Sequence, residues 1–377
     1  MIDAHTPAYL THWGAAYCGD ALDLLTALPD ASVNLVLTSP PFALQREKEY
    51  GNQAQTEYVT WLSRFARLVQ RKLKDDGSFV LDLGGAYEAG SPTRSLYNFR
   101  VPIHFCDELG FFLAEDFYWH NPAKLPSPIE WVNKRKLRAK DSVNPVWWFG
   151  KTRWPKANTS KVLTEYSDRM KKLLDDPESF YQPKKRPSGH DIGRSFGKNN
   201  GGAIPPNLLQ IPNSESNGSY LRGCKTVGAK QHPARFPAKL PEFFIRFLTE
   251  PNDLVVDIFA GSNTTGSVAE REGRKWLAFE QRLDYLATSI FRFLNEDPSD
   301  TEIKVAHDAV LLGQAVDLRA DIYNCSPTYG DEAFYQLSSQ AQGLLILADK
   351  TNDSNKTPAP NQKISYRRRP KKRQKKN

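Results

Sequence analysis

Residues 254 to 266 read Leu-Val-Val-Asp-Ile-Phe-Ala-Gly-Ser-Asn-Thr-Thr-Gly, and no other stretch constrains the fold as tightly. A run that is apolar on both faces needs cover on both sides, which is the condition of a strand inside a parallel sheet. A turn of small residues follows, then a helix-forming stretch to Glu272 with Gly273 as its cap. Parallel neighbours require crossovers, usually helical. Other segments supply them. Ala15–Cys18 reads as a short strand, 21–27 as a helix ended by Leu28-Pro29-Asp30, and Val33–Leu37 as a second buried strand. Tyr58, Leu62, Phe65, Val69 and Leu73 mark one face of a helix over 56–74, with Gly77 expected as its stop. Strands are expected at 78–83, 111–119, 142–149 and 276–280, and helices near 97–109 and 240–249. The expected class is α/β, a mostly parallel doubly wound sheet.

Two regions depart from this texture. Between 151 and 230 the periodicity weakens, Gly, Pro, Asn and Ser accumulate, and basic residues are scattered. Apolar anchors such as Phe180, Tyr181, Leu208 and Ile211 favour a folded, loop-rich inserted module. Past 300 the signal fades, and past 350 the chain is polar and expected to be disordered. The expected division is therefore 1–150, 151–230, 231–300 and a largely disordered extension over 301–377, with a basic tail at 366–377. The net charge is +8, and Arg367 to Lys376 alone hold eight basic residues, so the rest is near neutral. Any polyanion-binding face on the folded body must come from local clustering.

Several classes are set aside. No run is apolar for long enough to span a membrane. Met1-Ile2-Asp3-Ala4-His5 lacks the basic-then-apolar shape of a secretion leader, so a cytoplasmic location is expected. Cys18, Cys106, Cys224 and Cys325 are far apart and form no Cys-x-x-Cys pair, so neither a metal site nor a disulfide framework is expected.

The glycine turn lets a ligand approach the backbone closely. The next strand ends in Glu280, 19 residues after Gly261, a spacing at which an acid usually accepts from ribose hydroxyls. An adenosine-containing cofactor is indicated. A dinucleotide is disfavoured, because Asn263 stands where a pyrophosphate needs a glycine and Asp257 would repel phosphate. A cationic ligand such as S-adenosylmethionine suits better. A second motif, Thr38-Ser39-Pro40-Pro41-Phe42, closes the strand at 33–38. Two prolines cannot continue a ladder, because neither has an N–H to donate.

The two motifs together resemble those of the amino-methyltransferases: "DIFAGSNTTG" their cofactor motif, with Asn for one Gly, and "TSPPF" their catalytic motif. The catalytic motif comes first, as in β-class DNA methyltransferases. "GDALDLL" with Asp20, "HPARFPAKLP" with Phe236 and "SFVLDLGG" also resemble parts of that class. "SPIEWVNKRK", "RPSGHDIG", "GGAIPPNLLQI" and "NSESNG" carry a closer likeness to cytosine-N4 enzymes of restriction–modification type. The resemblance spans about residues 15 to 290.

It implies a class I S-adenosylmethionine-dependent methyltransferase fold with permuted motif order and a target-recognition module at 151–230. It implies catalysis by Ser39, Pro40, Pro41 and Phe42. The Pro-Pro turn would present carbonyl oxygens, Ser39 a side-chain acceptor and Phe42 a stacking face for an extruded base. Cofactor binding is expected at Asp20, Phe236, Asp257, Phe259, Gly261, Ser262, Asn263, Thr264, Thr265 and Glu280. Double-stranded DNA is the expected partner, touched by Arg46, Lys134, Arg135, Lys136, Arg138 and Arg194, with a CAGCTG-like palindrome as target and a monomer as the acting form. A cognate restriction endonuclease is the implied functional partner. Ser39 in place of Asp favours cytosine, with adenine-N6 methylation as the alternative and a non-catalytic DNA-binding protein as a second. Cytosine-C5 chemistry needs a Pro-Cys pair, and the chain has none.

Overall fold

The computed structural model describes residues 2, 5–43, 54–176, 187, 198–213 and 218–319. In chain order the first half runs β1 (Tyr9–Leu10), β2 (Gly14–Cys18), α1 (Ala21–Ala27), β3 (Val33–Thr38), α2 (Tyr58–Lys72), β4 (Leu73–Asp82), α3 (Tyr97–Asp107), β5 (Phe112–His120) and β6 (Val143–Gly150). The second half runs α4 (Asp168–Asp175), β7 (Leu208–Gln210), α5 (Ser219–Val227), α6 (Lys239–Leu248), β8 (Leu254–Asp257), α7 (Thr264–Arg271), β9 (Lys275–Glu280), α8 (Leu283–Ser289), α9 (Asp300–Leu311) and β10 (Val316–Asp317).

The ten strands of the described residues join one sheet in the order β10-β1-β2-β9-β8-β3-β4-β6-β5-β7. From β2 through β4 every pairing is parallel. β6 runs antiparallel between β4 and β5, and β1 antiparallel to β2. Side chains of the central strands alternate between two cores. Val256, Leu277, Phe279, Phe79 and Leu81 face the layer holding α1, α2 and α3. Val255, Trp276, Ala278, Val80 and Leu35 face the layer holding α5 to α9. The apolar runs read from the sequence are thus buried on both faces, as a parallel sheet requires.

The order reverses between β8 and β3. From β8 the chain winds through α7 to β9 on one side; from β3 it winds through α2 to β4 on the other. Ligands of open α/β sheets bind at the carboxyl ends of the strands at such a switch point. Here the residues after β8 are the glycine turn and those after β3 are Ser39-Pro40-Pro41-Phe42.

Three local readings are corrected. Gly77 does not stop α2. The helix ends at Lys72, and Leu73 turns to φ −64°, ψ 141°, so β4 begins at once. Lys72 fixes this corner: its buried ammonium donates to the carbonyls of Thr26 and Leu28 and to Asp30 Oδ1 (3.3, 2.6 and 2.7 Å), neutralising the carboxyl end of α1. Gly77 lies inside β4, where a Cβ would sit 2.9 Å from the Lys74 carbonyl. Secondly, both described ends of 151–230 serve the scaffold. Lys151, Lys156 and Asn158 bond the carbonyls of Gly77, Asp76 and Phe247 at the edge opposite the switch point. α5 buries Tyr220 and Cys224 in the second core, and a Cβ on Gly223 would fall 2.3 Å from Phe291. Thirdly, regular structure continues past 300. Ile303, Ala306 and Val310 of α9 are core residues, and β10 pairs with β1. The missed signal was local: Ser299 and Glu302 form a capping box, each side chain accepting from the other's backbone N–H (3.2 and 2.7 Å). Ser299→Ala should cost about 1 kcal/mol, read as a lower urea midpoint at unchanged slope.

Candidate active site

A cleft of about 760 Å³ opens along the carboxyl ends of the parallel strands. Its floor follows strand order: Asp20 after β2, Glu280 at the end of β9, the glycine turn after β8, Ser39 after β3 and Asp82 at the end of β4. From β2 to β4 is four strand spacings, roughly 19 Å.

Asp257 joins the two central turns. It is buried, and accepts from the hydroxyls of Thr38 and Thr265 (both 2.6 Å) and from the N–H of Phe259 (3.1 Å). Burial pushes its carboxyl upward and the hydroxyl bonds pull it down. Asp257 and Thr265 do not reach the cleft surface, so they shape the turn from behind instead of meeting a cationic ligand. Asn263 is also withdrawn. It takes a left-handed conformation, φ 51° and ψ 45°, as N-cap of α7. Its amide turns inward, Oδ1 accepting from Gly266 N–H (3.1 Å) and Nδ2 donating to the Tyr9 hydroxyl (2.9 Å). It therefore does not fill ligand space, because the open N–H groups of the helix claim it first.

The other expected cofactor residues line the cleft. Gly261 has φ 52°, and a Cβ there would lie 3.0 Å from the His232 ring, so glycine keeps this wall open. Glu280 accepts from Gly261 N–H (2.8 Å) and Arg282 N–H (2.9 Å), and burial raises its carboxyl. Asp20 caps α1 through Leu22 N–H (2.8 Å). Arg292 holds the Ser262 carbonyl (2.7 Å), and Ser262 Oγ lies 3.4 Å from Thr264 Oγ1. Phe259 packs against Trp61 and Phe65 of α2, with centroids at 5.7 and 5.0 Å. His232 also faces the cleft. Burial lowers its pKa to about 4, so the ring is neutral near pH 7, with Nδ1 donating to the Ala234 carbonyl at 2.7 Å.

At the other end, Ser39 Oγ donates to Asp82 Oδ2 (3.0 Å), and Asn144 Nδ2 donates to Oδ1 (3.3 Å). Burial raises Asp82 to about 6, against the pull of these two bonds and of the Lys124 charge. Because Ser39 gives its hydrogen to Asp82, its lone pairs remain for another donor. The two prolines divide their tasks. Pro41's carbonyl accepts from the Tyr58 hydroxyl (2.8 Å) and anchors the turn, whereas Pro40's meets no partner among the described residues. The expectation of two presented carbonyls is narrowed to one. Phe42 lies over Gly84, where a Cβ would come 2.4 Å from its ring. Asp82, Asn144, Lys124, Trp61 and His232 were not singled out from the sequence. Asp82 stands in plain view in "SFVLDLGG", but only the antiparallel pairing of Asp82 with Val146 brings Asn144 beside it.

Of the expected DNA-contacting residues, Arg46 and Arg194 lie outside the described residues. The others sit in the connection from β5 to β6, of which only Asn121, Lys124 and Ser142 line the cleft. Lys134 and Arg135 both pair with Glu130 (3.1 and 3.0 Å), which lowers the local positive field, while Lys136 is exposed. The Arg138 guanidinium stacks 4.5 Å from the Tyr87 ring centre.

The N6/N4 methyltransferase family model, described as a DNA methylase, matches residues 33–291. The chain belongs to the DNA methylase family. The type II methyltransferase M.PvuII of Proteus hauseri is 66% identical over 316 residues, covering 84% of this chain and 94% of its own. M.ScaI of Streptomyces caespitosus is 28% identical over 295 residues, covering 78% and 85%. The solved structure of the PvuII DNA methyltransferase (cytosine-N4-specific) matches at TM-score 0.70 and 57% identity, over 84% of this chain and 99% of that one. The methylase fold, with its permuted motif order, is therefore the architecture described above.

Among the described residues of this methylase, no group of His, Cys, Asp or Glu could hold a metal ion, and no helix is long and apolar enough to cross a membrane. Asn263→Ala should cost about 2 kcal/mol through the lost cap and the positive φ, and Asn263→Gly less, because glycine loses the same amide bonds but accepts the positive φ without strain. If Asp82 acts as a carboxylate, kcat/KM should fall as the pH drops through about 6. Lys124→Met should move that limb to higher pH, since it removes a charge favouring the ionised form, and Asp82→Asn should abolish the limb.

Proposed function

We propose that this DNA methylase transfers a methyl group from S-adenosylmethionine to the exocyclic N4 amine of a cytosine swung out of duplex DNA. The carrying observation is Ser39, a hydrogen-bond acceptor held by a buried carboxylate and facing the cleft that the glycine turn also lines. An exocyclic amine is a poor nucleophile because its lone pair is delocalised into the ring. Accepting its hydrogens lets the nitrogen rehybridise as it attacks. Ser39 Oγ and the Pro40 carbonyl are the two acceptors, and Phe42 is the aromatic wall for the base.

The cleft fits the cofactor in its donor set. Asp20 and Glu280 offer acceptors for an adenosine, Phe236 and Phe259 apolar walls, and Gly261 a backbone free of side chain. When bound, S-adenosylmethionine supplies the electrophilic methyl. The new bond is N–C, the broken one S–C, and the surplus amine proton leaves through Ser39 as its own hydrogen passes to Asp82 and on to solvent. A carboxyl near 6 is suited to that transient load. None of the described cysteines Cys18, Cys106 and Cys224 lines the cleft, in keeping with direct transfer to nitrogen. The rate comes mainly from positioning.

Lys134, Arg135, Lys136 and Arg138 supply the backbone-contacting rim, with Arg46 and Arg194 as further contacts. The target is a palindrome resembling CAGCTG, the acting form a monomer, and the biological sense is protection of host DNA from a cognate endonuclease.

Incubation with tritiated S-adenosylmethionine and duplex DNA, followed by digestion and mass spectrometry, should give N4-methylcytosine. N6-methyladenine would overturn the base assignment, and absence of label would leave a DNA-binding protein without catalysis. Ser39→Ala and Phe42→Ala should lower turnover by about 10² or more while cofactor affinity changes little; equal losses in both would contradict these roles.

A further inference from the structure

The connection between β5 and β6 meets the cleft at its two ends, and its cations are interleaved with exposed aliphatic side chains. Asn121, Lys124 and Ser142 line the cleft itself, and the Lys124 charge acts on Asp82. The next residue, Leu125, is 80% exposed. Ile129 and Leu137 of the same connection are 61% and 62% exposed. Trp154 is more exposed at 85%, but it follows β6 near the amino end of β4, away from the cleft, where Thr152 bonds the Asp75 carbonyl.

The backbone around Leu125 is tied down. The Lys140 ammonium donates to the carbonyls of Pro122 and Lys124, both at 3.2 Å. The N–H of Lys124 bonds the Asn121 carbonyl (3.2 Å), and that of Asp141 the Ser127 carbonyl (3.1 Å). Pro126 and Pro128 restrict the intervening backbone. The leucine is therefore presented by a braced loop, one residue from Lys124, which lines the cleft and whose charge acts on Asp82.

A surface that met only phosphates would need cations, and these are present at Lys134, Lys136, Arg138 and Lys140. They leave the apolar side chain unexplained. Extruding a base opens a gap in the duplex whose walls are the apolar faces of the neighbouring base pairs, and proteins that unstack DNA insert apolar side chains there. Resting on the base-extrusion reading above, we propose that Leu125 enters the stack and occupies the space left by the target cytosine. Lys124 inside the cleft and Leu125 at its lip then mark the two sides of the displaced nucleotide.

The test is single-turnover methylation by the full chain on two duplexes, one with a normal target C·G pair and one in which the partner guanine is replaced by an abasic position, so that extrusion costs less. Leu125→Ala should slow methylation of the normal duplex by about tenfold or more, yet stay within about threefold of the wild type on the abasic-partner duplex. Leu125→Met should restore most of the rate, and cofactor affinity should be unchanged. Ile129→Ala and Leu137→Ala should show no such split. Equal losses on both duplexes, no loss on either, or the same split in Ile129→Ala or Leu137→Ala would overturn the assignment. A wild type that labels neither duplex would instead overturn the methyltransferase reading on which it stands.

Discussion

One buried carboxylate makes the cleft possible. Asp257 holds Thr38 at the end of β3 and Thr265 in α7, joining segments 219 residues apart in the chain. A carboxylate away from water is costly unless its oxygens are satisfied. Here satisfaction and fastening are one event, because one hydroxyl arrives from the end of β3 and the other from the start of α7. The consequence is positional. The turn after β3 and the turn after β8 are held side by side where the sheet order reverses, so both open into one crevice.

Asp82 shows the opposite use of a buried acid. It lies across β3 from Asp257, with one hydroxyl and one amide to satisfy it. Its carboxyl consequently sits high, near 6, where it can both orient Ser39 and take a proton briefly. The surrounding aromatics supply the stiffness this needs. Tyr58 holds Pro41 by its hydroxyl and packs edge-on against Tyr97, 4.8 Å between centroids, while Tyr97 bonds the Gly84 carbonyl beside Phe42. The turn from Ser39 to Phe42 is thus fixed from behind by Tyr58 and Tyr97, neither of which lines the cleft.

Much of the scaffold was legible because its strands are apolar on both faces. Val33–Leu37 and Leu254–Ile258 admit few readings other than central parallel strands, and α2 was visible through its one-sided repeat. Errors came where a local signal competed with a distant partner. Gly77 looked like a helix stop, but Lys72 reaching the end of α1 had already ended the helix. Asn263 looked like a ligand neighbour, but the cap of α7 and Tyr9 take its amide. The loop-rich texture of 151–230 concealed α5, whose buried face is only Tyr220, Gly223 and Cys224.

By itself the sequence determined the strand–helix alternation, the identities of Ser39, Pro40, Gly261 and Glu280, and the family to which such motifs belong. These are properties of short segments, and nearest-neighbour chemistry is enough to read them. Only the tertiary structure decided which of these residues face the cleft and which brace it from behind. It put Asn144 beside Asp82, withdrew Asp257 and Thr265 into the interior, and gave the Pro40 and Pro41 carbonyls different tasks. Each of those outcomes depends on a hydrogen-bond partner supplied from elsewhere in the chain, and sheet order, which no local pattern encodes, determines where that partner arrives.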